Sequence, residues 1–281
     1  MATRVWTGAV DSTWNTAGNW DTGVPVSTDD VYIVSGSVDI TGYDANAVTL
    51  GKLVVGNQYT GSIGSSGTKL QISATNFDYS GTGAGAYFEG TYTTLTVQDT
   101  GTNSTALNLY GDSDTITTLR VLGGSGTIVI DSSCSFASGA IEQIGADGVT
   151  LSIADSTTLT GATLTMDSGI VEMNQAVPTV TVFGGELKAT LDGGTVTTLN
   201  QYGGKVRWKP TAACTLTTLT IYSGLFDCSD STSSVFTIQN CTIHESGQLD
   251  ERSGIENATY TNPISLGGEM FFDAGRSVTI S

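Results

Sequence analysis

Two consecutive stretches of the chain decide its fold: Thr179-Val-Thr-Val-Phe-Gly-Gly-Glu-Leu-Lys188 and Thr198-Leu-Asn-Gln-Tyr-Gly-Gly-Lys-Val-Arg-Trp208. Each begins with threonine, alternates apolar and polar residues, makes a glycine turn and then alternates again. A period of two is typical of β-strands with one buried face. Related copies occupy residues 117–131, 162–173 and 218–227. The repeat therefore predicts strand–turn–strand units, with little helix.

The spacing of the copies indicates how the units are arranged. Equivalent apolar residues lie 16, 19 and 20 residues apart, counted along Leu164, Val180, Leu199 and Leu219. A solenoid tolerates such drift because the turns on its outer face vary in length. Stacked at about 4.8 Å per rung, roughly ten to twelve coils would form a rod on the order of 50 Å long. We therefore predict an all-β chain folded as a right-handed parallel β-helix.

The alternative fold is a β-sandwich or jelly roll, in which each copy would be an antiparallel hairpin. The turns of the copies are Gly-Gly or Ser-Gly, whereas two-residue hairpins favour Asn-Gly or Asp-Gly. This difference favours the coil over the hairpin.

The two ends of the chain depart from the repeat. Residues 1–40 lack the Gly-Gly rhythm and contain Trp6, Trp14 and Trp20. Large aromatic residues suit the plugging of an open solenoid end. We predict a cap or docking segment at 1–40, a solenoid at 41–262, and a second cap or docking segment at 263–281, which holds Phe271 and Phe272. These five aromatic residues are the candidates for docking a partner.

The composition restricts the partners of the chain. Its formal charge is −17, from 27 acidic and 10 basic residues. Such a field repels phosphate and anionic lipid, so we expect neither nucleic acid nor a membrane as partner. The first ten residues lack a basic segment followed by an apolar run, and no stretch is long enough to span a membrane, so we expect cytosolic synthesis. In that compartment the cysteines, Cys134, Cys214, Cys228 and Cys241, are expected to be buried free thiols.

The N-terminal segment resembles the opening of a known group of proteins. Trp6-Thr-Gly, Trp14-Asn-Thr-Ala-Gly-Asn-Trp20, Gly23-Val-Pro25 and Asp29-Asp-Val-Tyr-Ile33 look like the start of many bacterial and phage surface β-helix proteins, including autotransporter-like passengers. The likeness covers about thirty-five of 281 residues and marks architecture more than activity. Because this chain shows no signal sequence, the resemblance implies a phage virion protein, such as a capsid decoration, head-fibre or tail-associated protein.

Carboxylates are the main candidates for chemistry. Glycoside hydrolysis needs two acids roughly 5 to 10 Å apart, and the possible members are Asp29-Asp30, Asp112 with Asp114, Asp227 with Asp230, and Asp250-Glu251. All lie beside Ser, Thr or Gly, where aspartate commonly forms turns. We therefore predict no catalytic residue, and also no metal site and no cofactor.

The basic residues and the single histidine are weaker candidates for a functional site than the carboxylates. His244 and its neighbour Glu245 would point to opposite faces of a strand, so we predict a surface histidine without a catalytic partner. Lys205, Arg207 and Lys209 alternate and share one strand face. They would form either a small partner-binding stripe or a solvated face.

The sequence thus predicts a non-catalytic virion structural protein, a capsid decoration or cement protein on the exterior of a phage head. The expected partners are other virion proteins, the major capsid protein first, and further copies of the chain, with a trimer as one arrangement because three rods can bury flat faces. The alternative is a tail-associated or adhesin-like protein that binds, or less readily cleaves, host glycans. Its groove would be lined by Tyr110, Tyr202, Trp208 and Tyr222.

Overall fold

The computed structural model describes residues 1–81, 85–99, 105–111, 115–131, 133–136, 138–155, 157–229, 236–252 and 258–272. Apart from one short 3-10 helix, Ala17–Asn19, its regular elements are β-strands. The strands in chain order are β1 (Thr3–Val5), β2 (Asp30–Gly36), β3 (Asp44–Tyr59), β4 (Leu70–Tyr79), β5 (Ala86–Glu89), β6 (Tyr92–Val97), β7 (Thr105–Tyr110), β8 (Ile116–Val121), β9 (Thr127–Ile130), β10 (Ala140–Gln143), β11 (Thr150–Ile153), β12 (Thr163–Met166), β13 (Ile170–Met173), β14 (Thr179–Val182), β15 (Glu186–Ala189), β16 (Gly194–Gln201), β17 (Lys205–Trp208), β18 (Cys214–Asp227), β19 (Phe236–Asp250), β20 (Ala258–Leu266) and β21 (Glu269–Phe271).

The strands stack in parallel on the sides of a coil of about ten turns. Face A is the stack of β1, β2, β3, β4, β6, β8, β10, β12, β14, β16, β18, β19 and β20. Face B is the stack of β5, β7, β9, β11, β13, β15, β17, the second halves of β18 and β19, and β21. Face C comprises residues 194–196, 214–216, 236–238 and 258–260, which long strands join to face A.

The register confirms the predicted equivalence of the copies. Leu164 pairs with Val180, Val180 with Leu199, and Leu199 with Leu219. All pairings between the named strands are parallel. The predicted right-handed parallel β-helix is confirmed, and the antiparallel sandwich is wrong.

The alternation of the sequence separates core from surface. Strands β9 to β11, β13 to β15 and β17 alternate between half-buried and buried residues. The buried positions stack into columns, such as Leu151, Val171, Leu187 and Val206 in face B. Removing these apolar columns from water is the main stabilising contribution of the coil.

The Gly-Gly rhythm has a steric cause at the turn between faces A and B. Gly185 has φ 75° and Gly204 has φ 66°, in the left-handed region that side chains rarely adopt. An added Cβ at Gly204 would lie 2.5 Å from the carbonyl oxygen of Gly185, and one at Gly185 would lie 2.6 Å from that of Gly169. Successive coils therefore approach closely at this turn because no side chain intervenes.

The predicted aromatic cap closes the N-terminal end. The rings of Trp6 and Trp20 are 5.2 Å apart and those of Trp14 and Trp20 are 4.7 Å apart, in edge-to-face geometry. Trp20 Nε1 donates a hydrogen bond of 2.6 Å to the carbonyl oxygen of Trp14. Asn19, with 0% exposure, accepts from the N–H groups of Val10 and Asp11, which fixes the loop over the tryptophans.

The stack begins before residue 41 and continues past residue 262. Strand β1 already pairs with β2, and β2 pairs with β3. At the other end, β20 and β21 both pair with β19. Residues 263–271 therefore add to the coil instead of forming a separate segment, and residues 273–281 lie outside the described part of the chain.

Candidate interaction surfaces

Four rings form a continuous stack on the outside of the coil, where face A meets the glycine turn. Phe183 and Tyr202 are 5.0 Å apart and inclined by 16°, Tyr202 and Tyr222 are 4.5 Å apart and inclined by 4°, and Tyr222 and His244 are 4.5 Å apart and inclined by 14°. We call these four residues the aromatic column. Each ring covers the face of the next, so the column presents mainly ring edges and hydroxyl groups to solvent.

The aromatic column was not predicted from the sequence, although the sequence contains the pattern that forms it. In three of the repeats an aromatic residue directly precedes the turn, as in Phe183-Gly-Gly, Tyr202-Gly-Gly and Tyr222-Ser-Gly. Since the turns stack, residues at this position also stack. His244 extends the column where the chain reads His-Glu-Ser-Gly.

The aromatic column borders an uncharged part of face A, which we call the hydroxyl–aromatic face. Each of the strands β14, β16, β18, β19 and β20 has two outward-facing residues that pair in register with those of the next strand. These residues form two columns beside the aromatic column and Leu266. The fifteen residues of this face, none of them Asp, Glu, Lys or Arg, are Thr179, Thr181, Phe183, Thr198, Asn200, Tyr202, Thr218, Thr220, Tyr222, Asn240, Thr242, His244, Asn262, Ile264 and Leu266.

Exposed large hydrophobic residues fall into two groups within the described part of the chain. One group belongs to the hydroxyl–aromatic face: Phe183, Tyr202, Tyr222, Ile264 and Leu266. The other lies near the N-terminal cap: Met1, Val10, Val26, Val34 and Val38. Scattered surface apolar residues are ordinary, but their concentration marks candidate interaction sites.

The predicted glycan groove is not assembled. Trp208 has 0% exposure and packs 5.8 Å from the ring of Phe226, so it does not line a surface groove. The alternation that turns Lys205 and Arg207 outward necessarily turns Trp208 inward. Tyr202 and Tyr222 belong to the aromatic column, whereas Tyr110 lies in face B.

Tyr110 belongs to a separate small cluster. Its ring stacks at 6.5 Å on that of Tyr87, and Lys69 Nζ lies 4.4 Å from its ring centre. Burial, followed by the charge of Asp131, raises the pKa of Tyr110. This cluster of rings and one cation ties coils of face B together.

The predicted docking role of the tryptophans also requires correction. Trp6, Trp14 and Trp20 are only 3%, 1% and 4% exposed, because they fill the interior of the cap. A partner at this end would contact the exposed valines instead. Phe271 and Phe272 are half-buried, and the guanidinium of Arg252 lies 5.1 Å from the ring of Phe271.

Face B carries charged residues that pair between neighbouring coils. Lys205 Nζ lies 2.8 Å from an Asp227 oxygen, and Arg207 Nε lies 2.5 Å from a Glu186 oxygen. Lys205 and Arg207 are therefore ion-paired members of face B. Lys209, the third residue of the predicted basic stripe, is half-buried, and its N–H donates to the carbonyl oxygen of Ala189.

The candidate catalytic carboxylate Asp29 anchors the chain start to the cap. Its oxygens accept from the N–H groups of Ala2 and Val26, at 2.9 and 3.2 Å, and from Arg4 Nε at 2.9 Å. Burial opposes the charged form, but these hydrogen bonds outweigh it and lower the pKa of Asp29. Asp30, the other member of the pair, lies in β2 in register with Lys52.

The C-terminal candidates also make structural contacts. Burial would raise the pKa of Asp227, but Lys205 and Ser229 lower it below its ordinary value. Hydrogen bonds from Arg252 lower the pKa of Asp250. Buried Glu251 accepts a hydrogen bond from the hydroxyl of Tyr260. The remaining candidates, Asp112, Asp114 and Asp230, lie outside the described residues.

His244 stacks on Tyr222 at the end of the aromatic column, and the cysteines lie in the core. His244 is half-buried and Glu245 is exposed, because β19 turns from face A to face B at this point and strict alternation stops. The four cysteines are buried free thiols. Burial raises the pKa of Cys214 to about 11 and that of Cys241 to about 12, so these thiols stay protonated at neutral pH.

One open groove offers paired carboxylates that the sequence did not suggest. It has a volume of about 560 Å³ and is lined by Ser152, Ala154, Asp155, Asn174, Thr190, Asp192 and Thr211. The strands preceding Asp155 and Asp192, β11 and β15, are two stacking steps apart, which corresponds to about 10 Å along the axis. The groove is a polar surface suited to hydrogen bonding with a hydroxylated ligand.

Within the described residues, no group of three or more His, Cys, Asp or Glu side chains is placed to hold a metal ion. The same part of the chain has no helix long and apolar enough to cross a membrane. Fold and surfaces together define a capped parallel β-helix in which the C-terminal part of face A is the hydroxyl–aromatic face, whereas ion pairs lie on face B and on the N-terminal part of face A, as at Lys52–Asp78 and Arg120–Glu142. In comparisons with known proteins, no family model, no curated protein and no solved structure matched the chain.

Proposed function

We propose that this chain is a non-catalytic structural rod that decorates the exterior of a virus particle, most specifically a phage head. The structural role is supported chiefly by the contacts that the acidic side chains of the chain make. The described members of the sequence-predicted carboxylate pairs lie within the stack, and three of them, Asp29, Asp227 and Asp250, hold cations or backbone N–H groups. Side chains committed in this way strengthen the coil and are poorly placed to turn over a substrate.

The virion setting is supported by the N-terminal segment. Its tryptophan pattern resembles that of surface β-helix proteins of phage and bacteria, and it folds as a rigid cap with exposed valines around it. We propose that this end contacts the particle, with the major capsid protein as partner. The acidic remainder of the rod, in a chain of net charge −17, would then face solvent and keep particles apart.

Co-sedimentation with particles tests this proposal. The full chain is mixed with particles purified from the source of the sequence, and the bound fraction is measured against the V10E/V26E variant. Val10 and Val26 are 64% and 55% exposed, so charges there should abolish docking without unfolding the cap. T195E/T237E on face C, which also adds two charges, is the matched control and should bind as the wild type does. Absence of wild-type binding would contradict the proposal.

A second candidate function is glycan binding by a tail-associated or adhesin-like protein. It is supported by the open groove between Asp155 and Asp192. Glycan-array binding by the wild type that disappears in D155N/D192N, and persists in T215E, would favour this function. An array without binding to any host glycan would remove it.

A further inference from the structure

We infer that the hydroxyl–aromatic face is a self-association surface whose occupant is the same face of a second copy of this chain. The inference deepens the proposed structural role, on which it rests for its biological purpose. The contact itself requires only the chain. Three properties of the face support it: the absence of charge, the exposure of apolar groups and a regular spacing.

The charge distribution favours contact at this face. Two copies, each with a net charge of −17, repel one another over most of their surfaces. The hydroxyl–aromatic face has no Asp, Glu, Lys or Arg over five successive strands, whereas face B carries ion pairs such as Lys205–Asp227 and Lys188–Glu172. Contact between two copies of this face therefore desolvates no Asp, Glu, Lys or Arg side chain of the face.

Exposed apolar groups provide the driving force. Phe183, Ile264 and Leu266 are 52%, 54% and 53% exposed, and the edges of Tyr202 and Tyr222 lie between them along the aromatic column. Burying these groups against a partner is favourable because apolar surface is removed from water. Their threonine neighbours are small and bring no charge into the contact.

The spacing of the side-chain rows on the hydroxyl–aromatic face favours a second copy of the chain as the partner. Its rows repeat with each coil, at about 4.8 Å, and a second copy has the same repeat. The rows of two copies can therefore interdigitate along the whole face. A sugar ring would need an open aromatic face, but the faces of Tyr202 and Tyr222 are covered by neighbouring rings.

The area of the hydroxyl–aromatic face indicates how strongly two copies should associate. Five rows at about 4.8 Å and three columns about 7 Å apart cover on the order of 400 Å². A standard stable interface buries about 800 Å² per partner. We therefore expect weak, reversible association in dilute solution, which would strengthen where a particle holds many copies side by side.

Sedimentation equilibrium of the full chain tests the inference. The wild type should exceed the mass of the 29.0 kDa chain as its concentration rises, and more so at high salt, which screens the repulsion between acidic bodies. T181E/T220E places like charges in the contact and should weaken association at least about tenfold. The matched control, T195E/T237E on face C, also places its two charges two coils apart and should associate as the wild type does.

A second experiment modifies the face only after the protein has folded. In T220C the new thiol is the accessible one, because the four native cysteines are buried, and a bulky charged maleimide can be attached after folding. The labelled protein should lose association, while T237C labelled in the same way should retain it. Circular dichroism confirms that each variant is folded.

Several outcomes would overturn the inference: a wild type that stays at 29.0 kDa at every salt concentration, or face and control variants that behave alike. A monomeric wild type whose T220C label blocks binding to particles would assign the face to the particle instead. Association without particle binding would leave the inference standing and remove the proposed function, so the two failures are distinguishable.

Discussion

The ring of Tyr222 lies 4.5 Å from that of Tyr202 on one side and 4.5 Å from that of His244 on the other. Three different coils thus contribute to one continuous surface stack. Because the sequence places these residues 20 and 22 positions apart, their contact depends entirely on the register of the coil. The aromatic column is therefore a sensitive indicator of correct stacking.

Removing a central ring of the column should destabilise the fold more than removing a terminal one. Tyr222→Ala deletes two ring contacts and Phe183→Ala deletes one. Each contact contributes roughly 1 kcal/mol beyond area burial. We expect the larger fall in thermal midpoint for Tyr222→Ala. Equal midpoints for the two variants would argue against a cooperative column.

A side chain at the glycine turn should be costly. Gly204→Ala requires a left-handed residue at φ 66° and places a Cβ 2.5 Å from the carbonyl oxygen of Gly185. We expect a loss of at least about 2 kcal/mol in urea unfolding. Gly67→Ala is the control, since its added Cβ meets no atom within 4 Å. Similar unfolding of both variants would show that the close approach of the turns does not stabilise the coil.

The cap should determine the stability of the N-terminal coils. Trp14 is 1% exposed, and Trp14→Ala should lose about 3 to 5 kcal/mol through lost burial and a cavity. Proteolysis of the variant should begin near the N-terminus, where the first coil would lose its cover. Val10→Ala, at an exposed site, should change neither measurement. Unaltered proteolysis of Trp14→Ala would contradict a capping role.

The contribution of Asp29 predicts a specific dependence on pH. Its pKa in the folded chain lies below the ordinary value of 3.8, so its ionised form stabilises the fold above that pH. This stabilisation is lost as the pH falls from about 3.8 through the lower folded-state pKa. Asp29→Asn should therefore reduce the difference in stability between pH 7 and pH 3. An unchanged pH profile would refute the anchoring role of Asp29.

The cysteines give a direct test of core burial. Burial raises the pKa of Cys241 to about 12 and shields the other three thiols. A thiol reagent at pH 8 should react with none of the four in the native chain and with all four in denaturant. Rapid native labelling would show that the coil opens locally.

Much of this architecture follows from local patterns. Alternation identifies the buried residues, and the Gly-Gly turns arise where successive coils approach too closely for a side chain, as at Gly185 and Gly204. The three tryptophans predicted the cap. The same alternation could have placed Trp208 in the core, because Lys205 and Arg207 on its strand face outward.

The surfaces were harder to predict because they depend on register between coils. Turn lengths differ, so the column that joins Phe183 to His244 has no fixed spacing in the sequence. In the C-terminal half of the coil, the separation of ion pairs onto face B and hydroxyl groups onto face A has the same origin. Only the stacked structure shows which outward residues become neighbours.

The most direct test of the central claim is quantitative mass spectrometry of particles purified from the source of the sequence. The account predicts copies on the order of hundreds per particle, as expected for a protein that decorates a capsid surface. A handful of copies would contradict capsid decoration and favour a tail or fibre location. Absence from purified particles would contradict the virion role altogether.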